Sequence, residues 1–248
     1  MGDAIYKSPD GGQHWLPHNV GLKEHVSFVN QFVFHPTDNE KIYSATTVGA
    51  YYTKDGGREW EERMAGMKEI CIVVSIAINL NEPRVLYAGT TGGIYRSDDG
   101  AASWKKINNG LIPDSELMAA MALGVNVIVV DPTNPATVYA GATKGLFRTQ
   151  NREEAWDWIG QAIPDQFFSS FVIDPTDPAV LDAGGGELGS GKAPQADNPG
   201  RPSIRCSTLL IFALWRWLLR ILKFSTPGPT AADCTIPETG ATAGRPCR

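Results

Sequence analysis

The chain holds 248 residues, 42% hydrophobic and 20% charged, with a formal net charge of −5. That composition supports a core of ordinary globular size, and its negative balance excludes a general electrostatic attraction to nucleic acid. Twenty-six glycines and 17 prolines indicate many turns and short strands in place of long helices.

In chain order, the first recognisable phrase is IYKSPDGGQHW at 5–15. It returns as AYYTKDGGREW at 50–60, IYRSDDGAASW at 94–104 and, degenerately, LFRTQNREEAW at 146–156. Asp10, Asp55, Asp99 and Asn151 align, as do Trp15, Trp60, Trp104 and Trp156, and both columns step by 45, 44 and 52. Gly11, Gly56 and Gly100 fill the next column, and Ser8, Thr53, Ser97 and Thr149 open the motif. A second phrase precedes each later copy: VFHPTDNEKIYSATTVG (33–49), AINLNEPRVLYAGTTGG (77–93) and VVDPTNPATVYAGATKG (129–145). A further example, VIDPTDPAVLDAG (172–184), places Asp182 where Tyr43, Tyr87 and Tyr139 stand. Two phrases in constant register establish an internal repeat.

Each repeat reads as four strands. The apolar runs Phe32 to Phe34, Ile76 to Ile78 and Val127 to Val130 suit buried strands. KIYSATT, RVLYAGT and TVYAGAT make a second strand, AYYT, IYRS and LFRT a third, and the tryptophan opens a fourth. Four strands in about 45 residues is the spacing of a propeller blade. Within the corner between strands three and four, the Asp or Asn side chain accepts local backbone hydrogen bonds and glycine supplies positive φ. The indole is expected to hold the hairpin against its own blade. A group that recurs once per repeat reads as a fastener, because catalysis needs it once.

These corners resemble the Asp-box, or BNR-repeat, β-propellers, with the motif S/T-x-D-x-G-x-x-W carried by SPDGGQHW, TKDGGREW and SDDGAASW and loosely by TQNREEAW. The resemblance covers about residues 2–184 and implies an all-β, partial β-propeller of four-stranded antiparallel blades. Bearers of the motif include sialidases, xyloglucanase-like glycosyl hydrolases, sortilin-like receptors and photosystem II stability/assembly-factor-like proteins. The style of DPTNPATVYAGATKGLFRT is most similar to the assembly-factor and xyloglucanase-like branches. Sialidase arginine triads and the Phe/Tyr-Arg-Ile-Pro motif are absent, and Arg96 and Arg148 share a column with Lys7 and Tyr52, so they read as strand-surface positions. The resemblance implies a non-catalytic binding or assembly scaffold, with a glycoside hydrolase fragment as the alternative. It also suggests an extracytoplasmic location, although the first 30 residues show no secretory signal. The pattern begins and stops inside a blade, as in a fragment of a longer propeller.

The expected organisation is an incomplete propeller over 1–184 with three and a half to four blades, a flexible linker over 185–206, a short helix over 207–225 and a disordered tail over 226–248. In STLLIFALWRWLLRILKF (207–224), Arg216, Arg220 and Lys223 share one helical face, which suits weak contact with a membrane surface better than a span. The other reading of 185–248 is an extension outside the selected reading frame. Open edge strands also make self-association an expectation.

In a four-stranded blade, the turns between strands two and three and the links to the next blade share the face opposite the Asp corners. Thr47, Thr91 and Lys144 lie in those turns, and Asp114 and Glu116 lie in the connector 107–127. Trp104 to Asp131 spans 27 residues, against 20 from Trp15 to His35 and 19 from Trp60 to Asn79, so this connector carries an insertion. A protein or glycan ligand is expected on that face. His14 and His18 fall four apart, on one face of a strand but without a third ligand. Glu61 and Glu62 are adjacent and point to opposite faces. The four cysteines form no Cys-x-x-Cys pair, and no phosphate loop, nucleophile elbow or HExxH occurs. Neither a cofactor nor a metal is expected.

Overall fold

The computed structural model describes residues 5–24, 26, 28–67, 72–111, 123–143, 145–151, 155–160, 163, 166–187 and 203–206. Its strands follow the repeat. The first sheet pairs β1 (Tyr6–Lys7) with β2 (Leu16–Pro17). Three antiparallel four-stranded sheets follow: β3 (Val29–His35), β4 (Asp38–Thr46), β5 (Gly49–Thr53) and β6 (Glu61–Glu62); β7 (Val73–Ile78), β8 (Leu86–Thr90), β9 (Gly93–Ser97) and β10 (Lys105–Lys106); β11 (Val125–Val130), β12 (Val138–Ala142), β13 (Gly145–Thr149) and β14 (Asp157–Trp158). The last sheet holds β15 (Gln166–Ile173), β16 (Val180–Glu187) and β17 (Ser203–Cys206), with β17 parallel to β16.

The register repeats with the sequence. Tyr43 faces Tyr52, Tyr87 faces Arg96 and Tyr139 faces Arg148 across strands two and three. The first strand of each sheet is irregular at one equivalent place: between Val29 and Gln31, Val73 and Ser75, Val125 and Val127, and Phe168 and Ser170. A bulge there bends each first strand alike.

The core lies between sheets. Alternation along strands of period two gives each sheet two faces, and the apolar clusters join facing sides of consecutive sheets. Tyr43, Ala45 and Ala50 pack with Ile76, Ile78, Leu86 and Trp104. Ala77, Tyr87 and Ile94 pack with Ile128, Val138, Ala140 and Trp156. Tyr139 and Leu146 pack with Phe168, Phe171 and Leu181. All-β architecture with four-stranded antiparallel blades is therefore the fold, and no helix occurs among the described residues.

Two expectations change. β16 runs on to Glu187 and β17 occupies Ser203–Cys206, so strand structure extends into the stretch read as a linker. The expected helix over 207–225 lies outside the described residues. Arg96 is not a surface group: it is 8% exposed, its guanidinium lies 6.0 Å from the Tyr87 ring, and it donates to Asp98 at 2.5 Å. Its side chain lies on the Tyr87 side of the sheet, which the neighbouring blade covers.

Candidate functional site

The corners are built almost identically. Ser8 Oγ donates to Asp10 Oδ1 at 2.9 Å, Thr53 Oγ1 to Asp55 Oδ1 at 2.7 Å, Ser97 Oγ to Asp99 Oδ1 at 2.8 Å and Thr149 Oγ1 to Asn151 Oδ1 at 2.8 Å. The same hydroxyls accept from Gly12 N, Gly57 N and Ala101 N. The carboxylates accept from the far side of the turn: His14 N to Asp10, Arg58 N and Glu59 N to Asp55, Ser103 N to Asp99. All these bonds stay within one corner.

Hydrogen bonding to the charged form holds all three carboxyls below the usual range. For Asp10 the main cause is the His14 amide, and for Asp55 the Thr53 hydroxyl. At Asp99 burial pushes upward, but the Ser103 and Ser97 bonds outweigh it. Carboxylates kept ionised by their own turns are poor general acids.

The indoles do something the sequence reading missed. Trp60 Nε1 donates to His18 O at 3.0 Å, Trp104 Nε1 to Arg63 O at 2.9 Å and Trp156 Nε1 to Ile107 O at 2.7 Å. Their backbone amides donate to Val20 O, Ala65 O and Asn109 O. Each of these tryptophans therefore also clasps the preceding blade, in addition to the hold on its own blade expected of it. Trp15, with no earlier blade among the described residues, is 60% exposed.

The receiving loop is a third repeated phrase: HNVGL (18–22), RMAGM (63–67) and INNGL (107–111). Its turn is closed by Leu22 N to Asn19 O, Met67 N to Met64 O and Leu111 N to Asn108 O. Gly21, Gly66 and Gly110 have φ of 85°, 91° and 84°. A Cβ there would lie 2.0, 2.0 and 2.4 Å from the carbonyl oxygen of the clasping tryptophan. The signal was available, since the glycines step by 45 and 44 like the aspartates.

First strands are also tied across blades by polar side chains near the bulges. Asn30 Nδ2 donates to Val73 O at 2.7 Å, and Asn126 Nδ2 to Phe168 O at 2.9 Å. Gln31 Oε1 accepts from Ile76 N and Ser75 Oγ from Ile128 N.

On the opposite face, the turns between strands two and three are short and locked. Thr46 Oγ1 donates to Gly49 O and Thr90 Oγ1 to Gly93 O. Thr47 N donates to Phe28 O and Thr91 N to Ile72 O, fastening each turn to the connector that enters the first strand. Thr47 is half-buried and Thr91 exposed. Lys144, Asp114 and Glu116 lie outside the described residues.

Remaining candidates separate. His14 Nδ1 meets Asp10 Oδ2 at 2.5 Å, whereas His18 Nδ1 meets Gly57 O at 2.9 Å. Only Leu16–Pro17 between them is strand, so the expected shared face does not form. No group of three metal-ligating side chains gathers among the described residues. Glu61 pairs with Arg63 and Glu62 with Lys23.

No protein-family model matches the chain, and no curated protein matches it by sequence. Solved structures share its fold. An ancestral GH74 enzyme is 22% identical with a TM-score of 0.56, covering 70% of this chain and 23% of its own. The GH74 xyloglucanase from Xanthomonas campestris is 18% identical with a TM-score of 0.54, over 68% and 29%. The extracellular domain of a candidate one-component system from B. thetaiotaomicron is 16% identical with a TM-score of 0.51, over 70% and 22%. The chain thus spans under a third of these neighbours' length, and the likeness establishes a β-propeller fold.

Proposed function

We propose that this chain is a non-catalytic propeller scaffold of the Asp-box, photosystem II stability/assembly-factor-like kind. It holds a protein or glycan ligand on the face carrying Thr47, Thr91, Lys144 and the 107–127 connector. The observation that carries the reading is the use of the corner acids: Asp10, Asp55 and Asp99 each accept backbone N–H bonds of their own turn. With the corner face committed to structure, the variable connectors on the rigid opposite face are left to recognise a ligand.

A glycoside hydrolase fragment is the second reading, favoured by the fold shared with GH74 enzymes. Titrating the chain with xyloglucan oligosaccharides, while assaying for new reducing ends, separates the two. The scaffold reading expects no turnover, and any binding to weaken in Lys144→Glu. Turnover abolished by Asp114→Asn or Glu116→Gln would establish the hydrolase instead.

A further inference from the structure

Asn109–Gly110 is the one Asn-Gly pair in the sequence, and it falls in the receiving turn that Trp156 grips. The equivalent pairs are Val20–Gly21 and Ala65–Gly66, so only this turn places a side-chain amide next to the glycine. Both residues are exposed to water.

An asparagine followed by glycine carries its own modification chemistry. The Gly110 nitrogen is tethered within reach of Asn109 Cγ, and glycine has no side chain to shield it. Attack forms a bond from that nitrogen to Cγ and closes a cyclic imide. The Cγ–Nδ2 bond breaks, and Nδ2 leaves as ammonia with the Gly110 amide proton. Water then adds to either imide carbonyl and opens the ring, giving aspartate or isoaspartate.

The folded turn withholds the geometry that this step needs. Gly110 has φ of 84°, Asn109 keeps a negative φ, and Leu111 N donates to Asn108 O at 3.0 Å. That is a type II turn with Asn109 second and Gly110 third, and its second residue has ψ of about +120°. Ring closure requires the Gly110 nitrogen to eclipse the Asn109 Cβ, and at this ψ it is turned away. Rotating to the reactive ψ swings the whole peptide unit, Asn109 O included. That oxygen accepts from Trp156 N at 2.9 Å, while Trp156 Nε1 holds Ile107 O at 2.7 Å. Trp156 O lies 2.4 Å from where a Gly110 Cβ would stand, so the clasping backbone packs directly on the turn. The attacking nitrogen and the clasped carbonyl belong to one peptide unit.

We propose that Asn109–Gly110 is a self-modification site whose rate is set by opening of the Trp156 clasp. While Trp156 holds Asn109 O, the imide does not form. When the third and fourth sheets part at this turn, it does. Isoaspartate adds a methylene to the main chain inside the turn. The modified turn no longer presents Ile107 O and Asn109 O together to Trp156, so each event leaves the clasp open.

Peptide mapping of the full chain after incubation in mildly alkaline buffer tests this, by the mass gain of amide-to-acid conversion at Asn109. The folded chain should convert at least about tenfold more slowly than the same chain in guanidinium chloride. Trp156→Phe keeps a ring and loses the bond to Ile107 O, and should raise the folded rate about tenfold. Trp60→Phe weakens another clasp by the same chemistry and should leave the rate at Asn109 within about twofold. That comparison separates local opening from a loss of overall stability. Equal rates in buffer and denaturant, a Trp156→Phe rate no higher than the parent's, or an equal rise in Trp60→Phe overturns the proposal.

Discussion

At the scale of single residues, the corner hydrogen bonds carry acid sensitivity. Asp10, Asp55 and Asp99 have folded-state values held below the ordinary one. The stability they contribute is therefore present above the unfolded-chain value of about 3.9 and is lost as pH falls through the lower folded values. Urea midpoints measured from pH 6 downward should fall in that acid window. Asp55→Asn, which keeps an acceptor oxygen but cannot titrate, should flatten the fall, as Asn151 already does in the fourth corner. Gly66→Ala makes a sharper test. It combines positive φ with a methyl 2.0 Å from Trp104 O, and should cost more than about 2 kcal/mol by chemical denaturation. Corner geometry was legible in the sequence at this scale, because a hydroxyl, an acid and a glycine within eight residues bond to one another whatever packs around them. Gly66 was equally visible in its repeating phrase, but its purpose depends on a backbone contributed by the next repeat.

At the scale of elements, the indole clasp decides how one blade holds the next. Trp104→Phe keeps the buried ring and removes the N–H that reaches Arg63 O, leaving that carbonyl short of a partner. A loss of about 1–2 kcal/mol is expected with the fold retained. Trp15→Phe, at an exposed ring, should change stability by less than about 0.5 kcal/mol. Equal losses at the two positions would show that the clasp between blades contributes nothing. Strand assignment was accurate here because alternation and turn residues are local. The short fourth strands were read too long: WEERM reduces to Glu61–Glu62, since the chain leaves the ladder to make the receiving turn at 64–67. Arg96 was misjudged for a related reason. Strand alternation assigns a face, but only the adjacent blade determines whether that face is wet.

At the scale of the whole molecule, burial differs between positions that the repeat makes equivalent: Phe34 in β3 is 56% exposed and Ile78 in β7 is 8% exposed. Truncating Phe34 to Ala should leave stability within about 0.5 kcal/mol, since the ring is already largely in water. Ile78→Ala, the same column one blade later and buried, should cost about 2–5 kcal/mol. Denaturation of the two variants side by side checks that burial, and not residue type, sets the difference. The face proposed to hold a ligand is the least legible region. Its connectors are not bound to the repeat, so neither their length nor their acids follow from the pattern that organises the rest.

The sequence by itself determined the repeat, the four-strand blade and the self-contained corner, because each rests on hydrogen bonds and alternation among neighbours along the chain. Only the tertiary structure decided where each indole N–H goes, which arginine is buried and which aromatic face stays bare. The indole bonds join groups 41 to 49 residues apart. All of these outcomes depend on which sheet lies alongside, and identical local phrases therefore meet different surroundings.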